Sequence, residues 1–346
     1  MTLRSGTGLA FAARGQRRKR DTVRITRGAA WSPELRHLVL LLVLTLASVL
    51  AGLKPLGISR DLDNYRVVFE WAVQADWSEL LAANDPLYHA ASRLIWMLGG
   101  GFTTFMLVTA FATCTAKAVA FKELDADRGV LLLLYFSYLF WLHEYTQVRL
   151  ALALGLVLFA MYRPSRFSWI VFIVAALVHG ATLLIVALHM ARHYRRAATL
   201  TIVICLALLF LTGYAEDAYL IAITRVTVHL DLLEAGEVAE INIFSLLPLI
   251  QGVMLVASVR HLSKLPAMGR EEFGISCLGF ASFYALSFVP VLAFRVHELL
   301  IPFFLVYVSR VWRHSKLVQL GGVLYILVGI RTTFLSADSL LFAGVG

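Results

Sequence analysis

The sequence predicts an all-α, polytopic transmembrane protein, and three observations carry that reading. Hydrophobic residues make up 60% of the 346 positions and charged residues only 15%, against ~45–50% and ~25% in ordinary soluble domains. Mean hydropathy is +0.77. The apolar stretches also follow one another without a hydrophilic domain between them, and lipid leaves closed helices as the sensible way to satisfy their backbone groups. A secreted disulfide scaffold is excluded, because Cys114, Cys205 and Cys277 are far apart and each sits inside an apolar run.

Residues 1–34 read as a basic cytoplasmic tail. Residues 1–36 hold nine Arg or Lys against two acids, Asp21 and Glu34, a surplus of seven within a net charge of +9. Such an arm could grip nucleic acid. Placed directly before a span, it is read instead as holding the N-terminus inside and leaning on anionic lipid. No nucleic-acid partner is expected.

Residues 35–346 read as one transmembrane domain. Crossing the ~30 Å hydrocarbon core takes about 20 helical residues. Candidate spans are 35–56, 102–121, 129–143, 144–162, 167–190, 198–214, 242–260, 273–294, 296–312 and 317–335, about nine to ten in all. The 35–56 stretch is too long for a cleaved signal core. Simple alternation puts the loop at about 57–101 outside and Lys117, Lys122, Arg128, Arg163 and Arg166 inside. It then fails, because Arg192, Arg195 and Arg196 fall outside. Parity returns if 167–190 is a re-entrant pair broken near His179-Gly180, each half rising only ~18 Å. The acidic loop at about 215–241 then lies outside, as does Arg295.

Three polar knots gather on that outer face. Asp61, Tyr65 and Phe69 recur every four residues, so a helix sets them on one face; Asp61 is then either its N-cap or a working carboxylate. Residues 64–83 and 87–98 read as two amphipathic surface helices. The second knot is His143-Glu144-Tyr145-Thr146-Gln147-Val148-Arg149, ending at a helix mouth, where polar groups mark function by default. The third is Arg295-Val296-His297-Glu298, whose Arg295 either pairs with Glu298 along a helix or faces outward. Arg149 and Arg295 supply the guanidinium fork that grips phosphate oxygens. His179, in Ala175–Ala181, is either a packing residue or a group rising toward them. There is no Walker motif, no Cys/His zinc spacing and no Gly-x-Ser-x-Gly elbow.

Read in order, these motifs resemble the EpsG family of exopolysaccharide and O-antigen (Wzy-like) polymerases. The matching elements are Asp61-x-x-x-Tyr65-x-x-x-Phe69, Asp85-Pro86-Leu87-Tyr88, Val148-Arg149-Leu150-Ala151-Leu152-Ala153, Leu177-Val178-His179-Gly180-Ala181 and the late Arg295. They cover about residues 35–312. Arg60 stands where the family usually has Gly, and Leu150 where a polar residue often follows the Arg. The early external loop is also similar to that of C-type membrane glycosyltransferases, an analogy of fold only.

The resemblance implies an enzyme of the bacterial inner membrane. It would join undecaprenyl-diphosphate-linked repeat units on the outer face, beside membrane lipids and with a chain-length regulator and a flippase as partners. An acceptor hydroxyl would attack the donor's anomeric carbon, and the lipid diphosphate would leave. Arg149 and Arg295 would bind the leaving group, with Tyr65, His143 and Asp63 completing the substrate-binding set. Asp61 is the first choice for taking the proton and His179 the second. Glu144 is expected either to orient sugar hydroxyls or to share a divalent cation with Asp61; no dedicated metal set and no certain cofactor is expected. Two rivals stand beside this reading: transfer of a single sugar from a polyprenyl phosphate, and transport of a lipid-linked glycan.

Overall fold

Among the described residues, four helices are long and apolar enough to cross a membrane by length and composition: Phe102–Lys122, Leu246–Lys264, Pro290–His314 and Lys316–Leu335. The computed structural model describes residues 33–55, 61–193, 227 and 242–335. Among them every regular element is helical. The expected span count of nine to ten is therefore not matched by long helices. Shorter apolar helices lie at Leu42–Gly52, Arg128–Leu139, Val148–Tyr162, Ser168–Val178 and Gly180–Arg192, and the expected span 273–294 matches none of the long or short apolar helices. The expected span 198–214, the 215–241 loop apart from Thr227, and nearly all of the basic tail lie outside the described residues.

The elements run α1 (Pro33–Gly52), α2 (Leu62–Gln74), α3 (Trp77–Ala82), α4 (Pro86–Met97), α5 (Phe102–Lys122), α6 (Arg128–Leu134), α7 (Val148–Tyr162), α8 (Ser168–Val178), α9 (Leu183–His193), α10 (Leu246–Ser258), α11 (Ala267–Ala285), α12 (Pro290–Val311) and α13 (Lys316–Ile330). Two π-helical segments, Tyr135–Leu139 and Trp141–Thr146, link α6 to α7. The described residues from Leu41 onward form one compact unit.

Small residues set the closest helix approaches, as lipid-embedded packing requires. A Cβ at Gly155 of α7 would lie 3.3 Å from the Thr113 carbonyl of α5, and one at Gly279 of α11 would meet Leu300 of α12 at 2.9 Å. Around these contacts Leu154, Val157 and Leu158 of α7 and Phe303, Val306 and Tyr307 of α12 are fully buried.

Three boundaries differ from the sequence expectation. The amphipathic stretch 64–83 is two helices, because Asp76 opens α3 with a capping box: its side chain accepts from the N3 backbone while Glu79 accepts from the Asp76 N–H. The apolar stretch 144–162 becomes helical in α-register only at Val148, after the π segments. The break expected between 294 and 296 falls earlier, at 286–289. Pro290 is the reason: it has no N–H to give and its fixed φ suits the first helical position. Arg295 thus lies inside the second turn of α12 rather than in a loop.

The stretch 167–190 does break where charge parity suggested. His179 is extended (φ −158°, ψ 110°) between α8 and a short 3₁₀ turn, Gly180–Thr182, that leads into α9. From there α9 runs on, and Arg192 in its last turn donates to the Ala267 carbonyl at 2.8 Å and lies 3.6 Å from Glu271. Glu271 and Glu272 of α11, Arg310 of α12 and the 125–127 turn share that end of the bundle. The other end carries Lys54, Asp61, Asp85, Arg149, His179 and Arg295.

Candidate functional site

The chain assembles the site on a packed floor. Leu62, Tyr65 and Phe69 of α2, Tyr88 of α4, Phe105 and Met106 of α5 and Val148 of α7 form one buried cluster. Its rings meet edge-on, Phe69 to Phe102 at 5.8 Å and Tyr88 to Phe105 at 5.0 Å. The period-four spacing of Tyr65 and Phe69 therefore fastens the surface helix α2 to the bundle. Asp61 occupies the N-cap position of α2, yet its carboxylate makes no capping bond. It is free to face the cavity above.

That cavity measures about 200 Å³ and is lined by Asp61, Asn64, Tyr65, Val68, Gln147, Arg149, Leu150, His179 and Arg295. Arg149 lies in the first turn of α7, where unbonded N–H groups and the helix dipole already favour an anion. Its guanidinium stacks 5.5 Å from the Tyr65 ring centroid and 5.8 Å from that of Tyr88. Arg295 makes no ion pair among the described residues; Glu298 instead accepts from Gln147 Nε2 at 2.7 Å.

Asp85 ties the elements together. Its Oδ2 accepts from Arg149 Nη1 at 3.1 Å and from His179 Nδ1 at 3.0 Å, and its Oδ1 accepts from the Gly180 N–H at 3.1 Å. Burial works to raise the Asp85 carboxyl. The His179 hydrogen bond and charge, the Gly180 N–H and Arg149 outweigh it and hold the group below the ordinary carboxylate value. An ionised carboxylate only accepts, so Nδ1 of His179 carries a proton toward Asp85, and in the neutral ring Nε2 is the nitrogen that keeps a lone pair. Nε2 has no partner among the described residues. The Asp85 backbone is left-handed, with φ 61° and ψ 49°, directly before Pro86 at the start of α4. That turn swings the carboxylate back over α7 and the α8 break.

Of the residues singled out from the sequence, the structure brings Asp61, Tyr65, Arg149, His179 and Arg295 to one cavity. Asp63 is exposed in the first turn of α2, outside that lining. His143 and Glu144 lie inside the bundle, because the π turns that carry them face inward. Glu144 is paired there with Lys117 of α5, both side chains shielded from solvent. Lys54 donates to the neighbouring Tyr145 carbonyl. Glu144 and Asp61 therefore do not meet at a shared cation position, and no group of three His, Cys, Asp or Glu among the described residues could hold a metal ion.

Asp85, which holds two of the lining residues from behind, and the lining residues Gln147 and Asn64 were not picked out as site residues from sequence. Asp85 was read only as part of a turn motif, and Gln147 only as part of a polar run. The available signal was electrostatic: Arg149 and His179 at one helix mouth call for a carboxylate, and Asp85-Pro86 offered one in the loop placed on that face.

The family model for EpsG matches residues 37–341. The chain belongs to the EpsG family. EpsG is a Wzy-like polymerase family, which points to a polysaccharide polymerase in a membrane protein. No curated protein and no solved structure matches the chain significantly.

Proposed function

We propose that this EpsG-family protein polymerises lipid-linked glycan repeat units at the outer face of a bacterial inner membrane, using the Asp85-organised cavity. The observation that carries the reading is the pair of guanidiniums in one cavity, Arg149 stacked and oriented by Asp85, and Arg295 without an acidic partner among the described residues. A pair of forked cations with Asp61, among the described residues, as the one uncommitted acid in the lining suits a diphosphate.

In the proposed step an acceptor hydroxyl attacks the anomeric carbon of a glycan on polyprenyl diphosphate. The new C–O bond forms as the bond to the diphosphate breaks, and the lipid diphosphate leaves with the electron pair. Arg149 and Arg295 stabilise the negative charge that develops there. The geometry favours His179 over Asp61 for the proton, because Asp85 fixes its tautomer and leaves Nε2 as acceptor. Asp61 then faces the positive charge that grows at the sugar ring. The α8–α9 break is a re-entrant pair in this reading: irregular backbone at depth is tolerated where protein or a watery cavity covers it, and His179 lies at such a cavity.

The test is a deletion strain complemented with Arg149→Ala, His179→Ala, Asp61→Asn or Arg295→Ala, with glycan length read on gels. Loss of long polymer, with single lipid-linked units accumulating outside and protein levels normal, is the expected result. Full-length polymer from all four variants would overturn the site. Accumulation of units on the cytoplasmic face would instead favour transport, and addition of one sugar followed by arrest would favour a single-sugar transferase.

A further inference from the structure

A polymerase joins two glycans, and the cavity described above is too small for both. At about 200 Å³ it falls below the roughly 300–1,000 Å³ of ordinary ligand sites. A second cavity of about 430 Å³ opens at the same end of the bundle, within that range. Tyr138, Phe283 and Phe294 give it ring faces, and Asn242, His297, Glu298 and Arg331 give it polar groups.

The two cavities share a wall. Gln147 lines the first, Glu298 lines the second, and they are joined by the 2.7 Å hydrogen bond across the partition. On α12 the same turn serves both, with Arg295 in the first lining and His297 and Glu298 in the second. Pro302, one turn further along α12, lacks the N–H that would bond the Glu298 carbonyl four residues earlier. Arg331, at the end of α13, is exposed and forms no ion pair among the described residues. A guanidinium with no ion pair among the described residues, set beside aromatic faces, suits a sugar that carries an anionic group.

We infer that the Tyr138–Glu298–Arg331 cavity is the subsite for the second, acceptor glycan, with Arg331 holding its anionic group and Glu298 presenting its hydroxyl across the partition. This rests on the polymerase reading. Glu298, braced by Gln147, is a positioning residue here, and the proton still leaves through the first cavity.

The experiment uses purified full-length protein in lipid nanodiscs and the single lipid-linked unit extracted from the deletion strain. Chain elongation is followed against unit concentration, and binding of the labelled unit is measured in parallel. Arg331→Ala is expected to raise the half-saturating concentration about tenfold, equivalent to roughly 1.4 kcal/mol, with the maximal rate and melting temperature unchanged. Glu298→Gln keeps the volume and the Gln147 contact, and is expected to shift the same parameter in the same direction. Arg149→Ala should instead depress the maximal rate. Elongation by the wild type with neither Arg331→Ala nor Glu298→Gln changing its concentration dependence would overturn the subsite and leave the polymerase reading standing. If the wild type elongates nothing, the polymerase reading fails by itself. The binding arm then decides the cavity: weaker binding by Arg331→Ala sustains a glycan site there, and equal binding removes it.

Discussion

The two ends of the bundle use charge in opposite ways. At one end, buried or half-buried acids are matched to cations. Glu272 takes two nitrogens of Arg310 at 2.7 and 3.0 Å, Glu271 lies 3.6 Å from Arg192, and Asp127 takes Arg313 at 2.9 and 3.1 Å. At the other end Asp61, Arg295 and Arg331 make no ion pair among the described residues, although two cavities lie beside them. An ion pair satisfied within the chain fixes helices; a charge left unmatched beside a cavity has its partner still to come. Asp85 combines the habits, spending its carboxylate on the chain in order to orient groups that face outward.

The contrast can be broken most severely at Glu272, whose side chain is 0% exposed. Glu272→Ala leaves Arg310 buried without its carboxylate and should cost about 3–5 kcal/mol of stability, read as a large fall in melting temperature and folded yield. Arg149→Ala should do the reverse. Losing a donor aimed at developing charge costs on the order of 10²–10³ in rate, roughly 2.7–4 kcal/mol of barrier, while the melting temperature moves little. A rate loss at Glu272→Ala that matched the Arg149→Ala loss in fully folded protein would erase the distinction between the two ends.

Asp85→Asn sharpens the comparison further. It removes the ionised acceptor that sets the His179 proton and the Arg149 fork, and a supporting contact of that kind is worth about 10–100-fold in polymer-forming rate. The acid limb of stability tests the same group. Because its native carboxyl binds protons less tightly than the unfolded one, its stabilisation is complete above the ordinary Asp value of about 3.9. It is lost as pH falls through the lower native value. Thermal melts over that range should show this component in the wild type and not in Asp85→Asn. Arg313→Ala sits at the small end: its side chain is 79% exposed, so removing it should cost only about 0.2–1 kcal/mol. A larger loss would mean the charge-matched end depends on its rim as well as its interior.

The sequence made the helical class and the His179 break legible because both follow from patterns along one chain, hydropathy and the side on which Arg residues fall. It also placed Asp61 and Tyr65 on a shared face, since a four-residue period is local. Glu144 was opaque. Its partner Lys117 lies 27 residues away, and the π turns that rotate it inward leave no simple period. Asp85 was missed for the same reason, its three partners lying 64 to 95 residues further on. The α11–α12 boundary was available in Pro290 and was overridden by the run of apolar residues on either side.

The left-handed turn at Asp85 also narrows the alphabet that position 85 can use. A β-branched or bulky residue meets a steric penalty of roughly 1–2 kcal/mol there, while Gly, Asn and Asp adopt the conformation readily. Of those three only Asp brings an ionised carboxylate to Arg149, His179 and Gly180. A saturation library at this codon should therefore sort into three tiers: one residue that folds and works, two that fold without full activity, and the remainder impaired before chemistry begins.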